Sequence, residues 1–188
     1  MKDHAHRIRE ELPLIIFFIA TIWGVFLLDQ FLPLESFGLI PRSFSGLTGI
    51  IAMPFLHGSL GHIMSNTVPL IVLMLLLAGS KANSRLIMVA IIILGGVLLW
   101  LFGRGASLHI GASGLVFGLA VFLMVSGFLE RRTVPVIVAL IVAFLYGSSL
   151  ISGIMPFQRG VSWDGHLFGG LAGAFVAWVM ARHLKSGG

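Results

Sequence analysis

The chain has no cysteine among its 188 residues. Disulfide bonds, thiol catalysis and thiolate-held metals are excluded together. Charge is scarce: Asp, Glu, Lys and Arg make up 10% of the residues, against about 25% in soluble domains. No His-Glu-x-x-His pattern occurs, so the usual zinc-protease motif is missing. No internal repeat is visible, which leaves an inverted-repeat transporter without support. The apolar runs hold no carboxylate pair of the kind an ion-coupled carrier would need. What remains is grease: 57% of the residues are hydrophobic and the mean hydropathy is +1.05. Such a composition belongs to a multi-pass membrane protein.

Six apolar runs read as helices, at about 12–31, 60–79, 86–103, 113–129, 134–152 and 165–183. Several are near the shortest length that spans a hydrocarbon core of about 30 Å. The expected organisation is a short cytoplasmic N-terminal segment at 1–11, one membrane domain at 12–183 and a tail at 184–188. The first run is longer than the 7–15-residue core of a signal peptide, and no small-residue cleavage site follows it.

The twelve Lys and Arg residues orient this bundle. With the N-terminus inside, Lys2, Arg7, Arg9, Lys81, Arg85, Arg131, Arg132, Arg182 and Lys185 are cytoplasmic. Arg42, Arg104 and Arg159 are outside. Nine against three is a positive-inside bias. The net charge of +5 is therefore a topology signal, and no nucleic-acid partner is expected. The second, fourth and sixth helices then start at the outer face. Their N-terminal ends hold His62 and Asn66, Ser113, and His166. Polar groups at that depth are costly and point to function. The long first outer connection contains the apolar stretch Leu47–Leu56, too short and too proline-broken to span. It is expected to lie in the outer interface, partly re-entrant.

Serine needs an adjacent base to act as a nucleophile, and His166 is the base candidate. Asp164 is two residues from His166 and faces another way on a helix, so a Ser–His dyad is expected rather than a triad. His62 and Asn66, four apart, share a helix face. They could donate to a developing oxyanion together with the Ser113 amide at a helix N-terminus. Gly111 and Gly114 permit a tight turn. Small residues at Gly114 and Gly118, and at Gly169, Gly170 and Gly173, predict close packing of the fourth and sixth helices.

Plainer readings stand beside these. Ser113 could be a helix-start cap, and His166 could bond a loop carbonyl. His62 and Asn66 could satisfy loop backbone. Ser148, Ser149 and Ser152 are rival nucleophiles. His57, His62 and His166 could hold a metal, although no acidic or thiolate ligand joins them. A non-enzymatic binding or chaperone module is a further alternative. His57 reads as structural, His109 as an outer-loop residue without chemistry, and Trp23, Trp100, Trp163 and Trp178 as interfacial anchors.

Three motifs together resemble the rhomboid intramembrane serine proteases: His57-Gly58-Ser59-Leu60-Gly61-His62 followed by Asn66, Gly111-Ala112-Ser113-Gly114, and His166 with Gly169 and Gly173. They fall in order on the second, fourth and sixth helices. The resemblance covers roughly 12–183 and is to a bacterial six-helix core without a cytosolic domain. It implies an all-α six-helix bundle with both termini inside, and a serine endopeptidase with no cofactor or metal. Ser113 would be nucleophile, His166 base, and His62 and Asn66 oxyanion stabilisers. Substrates would be single-span membrane proteins, cut near the outer face of a prokaryotic plasma membrane. The fifth helix and the loop at about 153–163 would form a gate and cap. Two departures stand out. Phe117 replaces the tyrosine that often stacks on the histidine, and the first outer loop lacks the Trp-Arg pair of many members.

Overall fold

The computed structural model describes residues 2–80, 83–105, 107–156 and 160–186, with side-chain surroundings from His6 to His183. Lys81 and Arg159, and the side chains of Lys2 and Lys185, lie outside the described residues. Six long helices organise the chain: α1 Lys2–Asp29, α2 Leu60–Ser80, α3 Ser84–Phe102, α4 Ser113–Glu130, α5 Thr133–Gly153 and α6 Trp163–Ser186. The first five are long and apolar enough to cross a membrane. The sixth has the length, but its first turn is Trp163-Asp164-Gly165-His166. Polar residues there dilute its apolar character.

Five of the helices sit within a few residues of the expected runs. The first does not: α1 starts ten residues earlier than the apolar run at 12 and takes in most of the segment expected as a separate N-terminal piece. The reason is local. Residues 2–11 are rich in Lys, Arg, Glu and Ala, which are good helix formers. His6 Nε2 meets Glu10 Oε1 at 3.1 Å, one turn on, a spacing that supports a helix.

Helix α4 is the hub. In its apolar window 61% of the residues are buried, against 11% in α5. Phe122, Leu119, Ala120 and Leu123 of α4 pack with Leu70, Leu73 and Leu77 of α2 and Ile87 and Ile91 of α3 in one core. An aliphatic core gives no net hydrophobic gain against lipid tails, so close packing must hold the helices together. The outward faces remain greasy: Ile16, Phe17, Phe128 and Phe144 are exposed, as lipid-facing side chains are.

The connection between α1 and α2 is structured and packs back against the bundle. A single helical turn, Gly49–Ala52, is followed by a 3-10 turn, Met53–Phe55. Leu39 and Met53 bury against Leu99 of α3, with Ile50, Trp100 and Phe168 packed around them. Polar contacts fix this loop. Trp100 Nε1 donates to the Ser43 carbonyl at 2.9 Å, and Arg42 Nη1 donates to the Gly103 carbonyl at 2.8 Å. Trp100 is thus a staple as well as an aromatic of the rim. Trp23 likewise donates to Thr67 Oγ1, at 3.2 Å. The amide of Gly111 donates to the Met53 carbonyl at 2.9 Å, so the loop props the turn that leads into Ser113.

Candidate active site

Two helix starts face each other across the top of α4 and α6. Ser113 is the first residue of α4 and His166 lies in the first turn of α6. The axes can approach because glycine meets glycine. A Cβ on Gly169 would strike the backbone of Gly114, and one on Gly173 that of Gly118. A Cβ on Gly118 would lie 3.0 Å from the Gly169 carbonyl oxygen. The expected α4–α6 contact is therefore a backbone-to-backbone seam. Gly170 is not part of it: its Cβ would meet only Val121 Cγ2, at an ordinary 3.4 Å. One helical residue turns the side chain by about 100°, which is enough to leave the seam.

The seam sets His166 Nε2 2.8 Å from Ser113 Oγ. The other ring nitrogen, Nδ1, is 2.8 Å from the carbonyl oxygen of Gly153. A carbonyl can only accept, so Nδ1 carries the proton and donates. That assigns the tautomer: Nε2 is free to accept the serine O–H. Gly153 ends α5, where terminal carbonyls lack helical partners. A backbone oxygen thus orients the imidazole as a carboxylate does in a triad. Gly153 must be small here, because a Cβ would run into the Phe117 ring and come within 3.2 Å of His166 Nδ1. Phe117 stacks on His166 with centroids 4.1 Å apart and planes 12° from parallel. Stacking does not need the missing tyrosine hydroxyl.

Gly111 has φ +111°, a conformation that favours glycine. A Cβ there would also collide with the His62 ring. The turn into Ser113 thus needs glycine for its conformation and for its space. His62, Asn66, Ser113, Phe117 and His166 line one cavity of about 990 Å³, together with Ser149 and Gly160–Ser162. Asn66 is buried, and its Nδ2 donates to the His62 carbonyl at 2.9 Å. One amide hydrogen is therefore tied to its own helix, which leaves one for the cavity. The plainer reading, that Asn66 satisfies loop backbone, is not what this bond does: the His62 carbonyl belongs to the same helix. The rival Ser152 donates to the Ser149 carbonyl at 3.3 Å; its neighbour's carbonyl takes part in the site and its hydroxyl does not. Three histidines do not gather for a metal: among the described residues no group of three or more His, Cys, Asp or Glu is placed to hold an ion.

Two histidines have more structure around them than their positions in the sequence suggest. His57 is 1% exposed. Its Nε2 accepts the amide of Ala112, at 3.4 Å, and its ring meets that of His62 edge-on at 5.0 Å. Burial, with the neighbouring His62, pushes its pKa down to about 4. An unfolded histidine titrates near 6.5. Between these values the unfolded chain binds the extra proton, so stability rises with pH there. The contribution is complete above about 6.5 and is lost as pH falls toward 4. Melting in detergent should therefore drop on going from pH 7 to pH 5, with a shallower drop in His57→Gln. An equal drop in the variant would show that other groups set the slope.

His109, read from the sequence as a loop residue without chemistry, is also buried, at 2% exposure. Its backbone pairs in both directions with Leu39, at 2.9 and 2.8 Å. Its Nδ1 is 2.6 Å from Ser162 Oγ. Asp164 is buried too. It accepts from the Arg104 amide at 2.9 Å, from Nε at 3.3 Å and from Nη2 at 3.1 Å. It faces away from the Ser113–His166 pair as the i, i+2 spacing requires. No spacing rule could have found the His109–Ser162 contact, because both residues sit in loops.

A family model described as a Rhomboid domain matches residues 45–183. Uncharacterized proteins of Mycobacterium tuberculosis and Mycobacterium bovis are 40% identical to the chain over 191 residues, covering 93% of it and 79% of each relative. An uncharacterized protein of Mycobacterium leprae is 36% identical over the same length, with 75% of the relative covered. The matched span contains the His62–Asn66 pair, the Gly111–Gly114 turn and the glycine seam of α4 and α6, and the chain belongs to the rhomboid family.

Proposed function

We propose that the protein is an intramembrane serine endopeptidase in which Ser113 and His166 form the catalytic dyad. The reading rests on one observation above all: Ser113 Oγ lies 2.8 Å from a nitrogen whose ring partner already donates to a carbonyl. In the first step Ser113 Oγ attacks the scissile carbonyl carbon and His166 Nε2 takes its proton. Negative charge moves to the carbonyl oxygen. The free amide hydrogen of Asn66, the His62 ring and the Ser113 backbone amide are the donors for it. The C–N bond then breaks, and the leaving nitrogen takes the proton from His166. Water, with His166 again as base, attacks the ester carbon and releases Ser113. Gly153 keeps the imidazolium stable and correctly turned, so no carboxylate is needed.

Six spans with both termini inside agree with the positive-inside count, and they put both helix starts at the outer face. The cavity at those starts gives water and an unwound substrate segment a place to meet Ser113. Single-span membrane proteins are the substrates this geometry suits. Their cleaved bond must leave its helix to reach the cavity, so helix-breaking residues near the outer boundary favour cutting. Lateral entry would pass α5, the least buried of the first five helices, and residues 160–162 would cover the cavity from outside.

The test is cleavage of a model single-span substrate in liposomes, with the cut site mapped. Cleavage within or beside the span is expected. Cleavage that persists in Ser113→Ala would overturn the reading. Asn66→Ala should lower kcat about 10–1000-fold, the range for loss of an oxyanion donor. Unchanged kcat would remove Asn66 from the mechanism.

A further inference from the structure

The Ser113–His166 contact has a second rung above it. Ser162 is four residues before His166, and His109 is four residues before Ser113. Ser162 Oγ meets His109 Nδ1 at 2.6 Å. Both contacts join positions 53 apart in sequence, with the residue types exchanged between the two segments. We propose that His109 and Ser162 are positioning residues, whose hydrogen bond sets the register between the loop that delivers Ser113 and the loop that delivers His166.

Each end of this rung is tied to what it positions. The Ser162 carbonyl accepts the amide of His166 at 3.0 Å, so Ser162 holds the first turn of α6 through its backbone. His109 is locked to the first outer connection by its paired bonds with Leu39, and Gly111 bonds to Met53 in that same connection. A shift of His109 therefore moves the turn into Ser113. The α4–α6 seam fixes how closely the two helices approach. It does not hold the loops at their ends, and the rung does.

The neighbouring charges choose the form of His109. Its Nε2 is buried without a hydrogen-bond partner, 3.8 Å from Asp164 Oδ2. The carboxylate favours N–H at that position, which leaves Nδ1 as acceptor for the Ser162 hydroxyl. Arg104 holds Asp164 in place with three hydrogen bonds and lies over the Trp163 ring. Burial, together with Arg104, lowers the pKa of His109, and Asp164 opposes that shift. The neutral tautomer is thus supported at ordinary pH. Ser162, His109 and Asp164 form a string of the same types as a hydrolase triad. Ser162 lines the cavity too, and its carbonyl holds the first turn of α6, so the string serves as a clamp.

The proposal rests on the protease reading, and its test separates the two. In the liposome assay with a model single-span substrate, His109→Leu and Ser162→Ala should each lower kcat about 10–100-fold, as sub-ångström to ångström misplacement of a catalytic group does. KM should stay within about two-fold, because neither change removes substrate binding. The double variant should be no worse than either single one, since both break the same bond. His109→Asn and Ser162→Thr, which keep a polar atom at each end, should recover most of the rate. Active sites are counted with a fluorophosphonate, so loss of folded protein is subtracted. Unchanged kcat per titrated site in either deletion variant overturns the rung. Additive losses overturn it as well. Fluorophosphonate on Ser162 in Ser113→Ala would make Ser162 a nucleophile and overturn the positioning role. Full cleavage by Ser113→Ala would instead sink the protease reading.

Discussion

Ser113→Ala is expected to abolish both cleavage of a single-span substrate and labelling by a fluorophosphonate, and His166→Ala to do nearly the same. The losses should be of order 10⁶-fold in kcat, as when either half of a serine–histidine unit is removed. The double variant should be no worse than the single ones. In the proposed mechanism the two residues act as one device: the hydroxyl is inert without Nε2, and Nε2 has no proton to take without the hydroxyl. Asp164→Asn should cost far less, because Asp164 pairs with Arg104 and not with His166. In triad enzymes the equivalent change is severe, since it reverses the histidine tautomer. Here the Gly153 carbonyl sets the tautomer, and no side-chain substitution can make a backbone carbonyl a donor. A loss in Asp164→Asn as deep as that of Ser113→Ala would show that the dyad assignment is wrong.

Gly169→Ala and Gly173→Ala are expected to be nearly as damaging from a distance. One methyl group on either would enter the backbone of α4, at Gly114 and Gly118. The side chain has no rotamer to escape with, so the helices must separate. Overpacking of this kind costs about 1–3 kcal/mol. The larger effect is on rate. Separation draws His166 away from Ser113, and a displacement of 1 Å can cost about 100-fold. A fall of at least that size in kcat/KM is expected, with melting lowered by several degrees. Gly170→Ala is the control. Its methyl group meets only Val121 Cγ2 at 3.4 Å, so its rate and melting should stay near those of the parent. Equal losses at Gly169 and Gly170 would show that the seam is not what positions the dyad. The two neighbours differ by one residue in sequence, and only the crossing of α4 with α6 tells them apart.

That pair also shows where sequence reasoning stops. Spacing placed Gly169, Gly170 and Gly173 on one face; the structure puts two of them in the seam and one beside it. A helical face of three or four residues is wide, and a glycine seam is one residue wide. The same limit applies to Asn66. Its spacing from His62 predicted that both point into one site, and both line the cavity. That spacing could not tell that one Asn66 hydrogen bonds back to the His62 carbonyl. The start of α1 was misjudged for another reason. Apolar runs mark membrane-embedded residues, and a helix can extend beyond its apolar run where charged helix formers adjoin it.

The sequence by itself determined the six apolar runs, the charge bias from which their direction is expected, and Ser113, His166, His62 and Asn66 as the residues of interest. Hydrophobic length, cationic bias and polar groups in apolar runs are local properties, and the bilayer acts on each segment separately. The tertiary structure decided which backbone oxygen orients His166. It also brought His109 to Ser162 and His57 to the amide before Ser113. Those contacts join residues far apart in sequence through loops and helix ends. At such places no periodicity operates, and an unpaired carbonyl or imidazole takes whatever partner the crossing of the helices brings within reach.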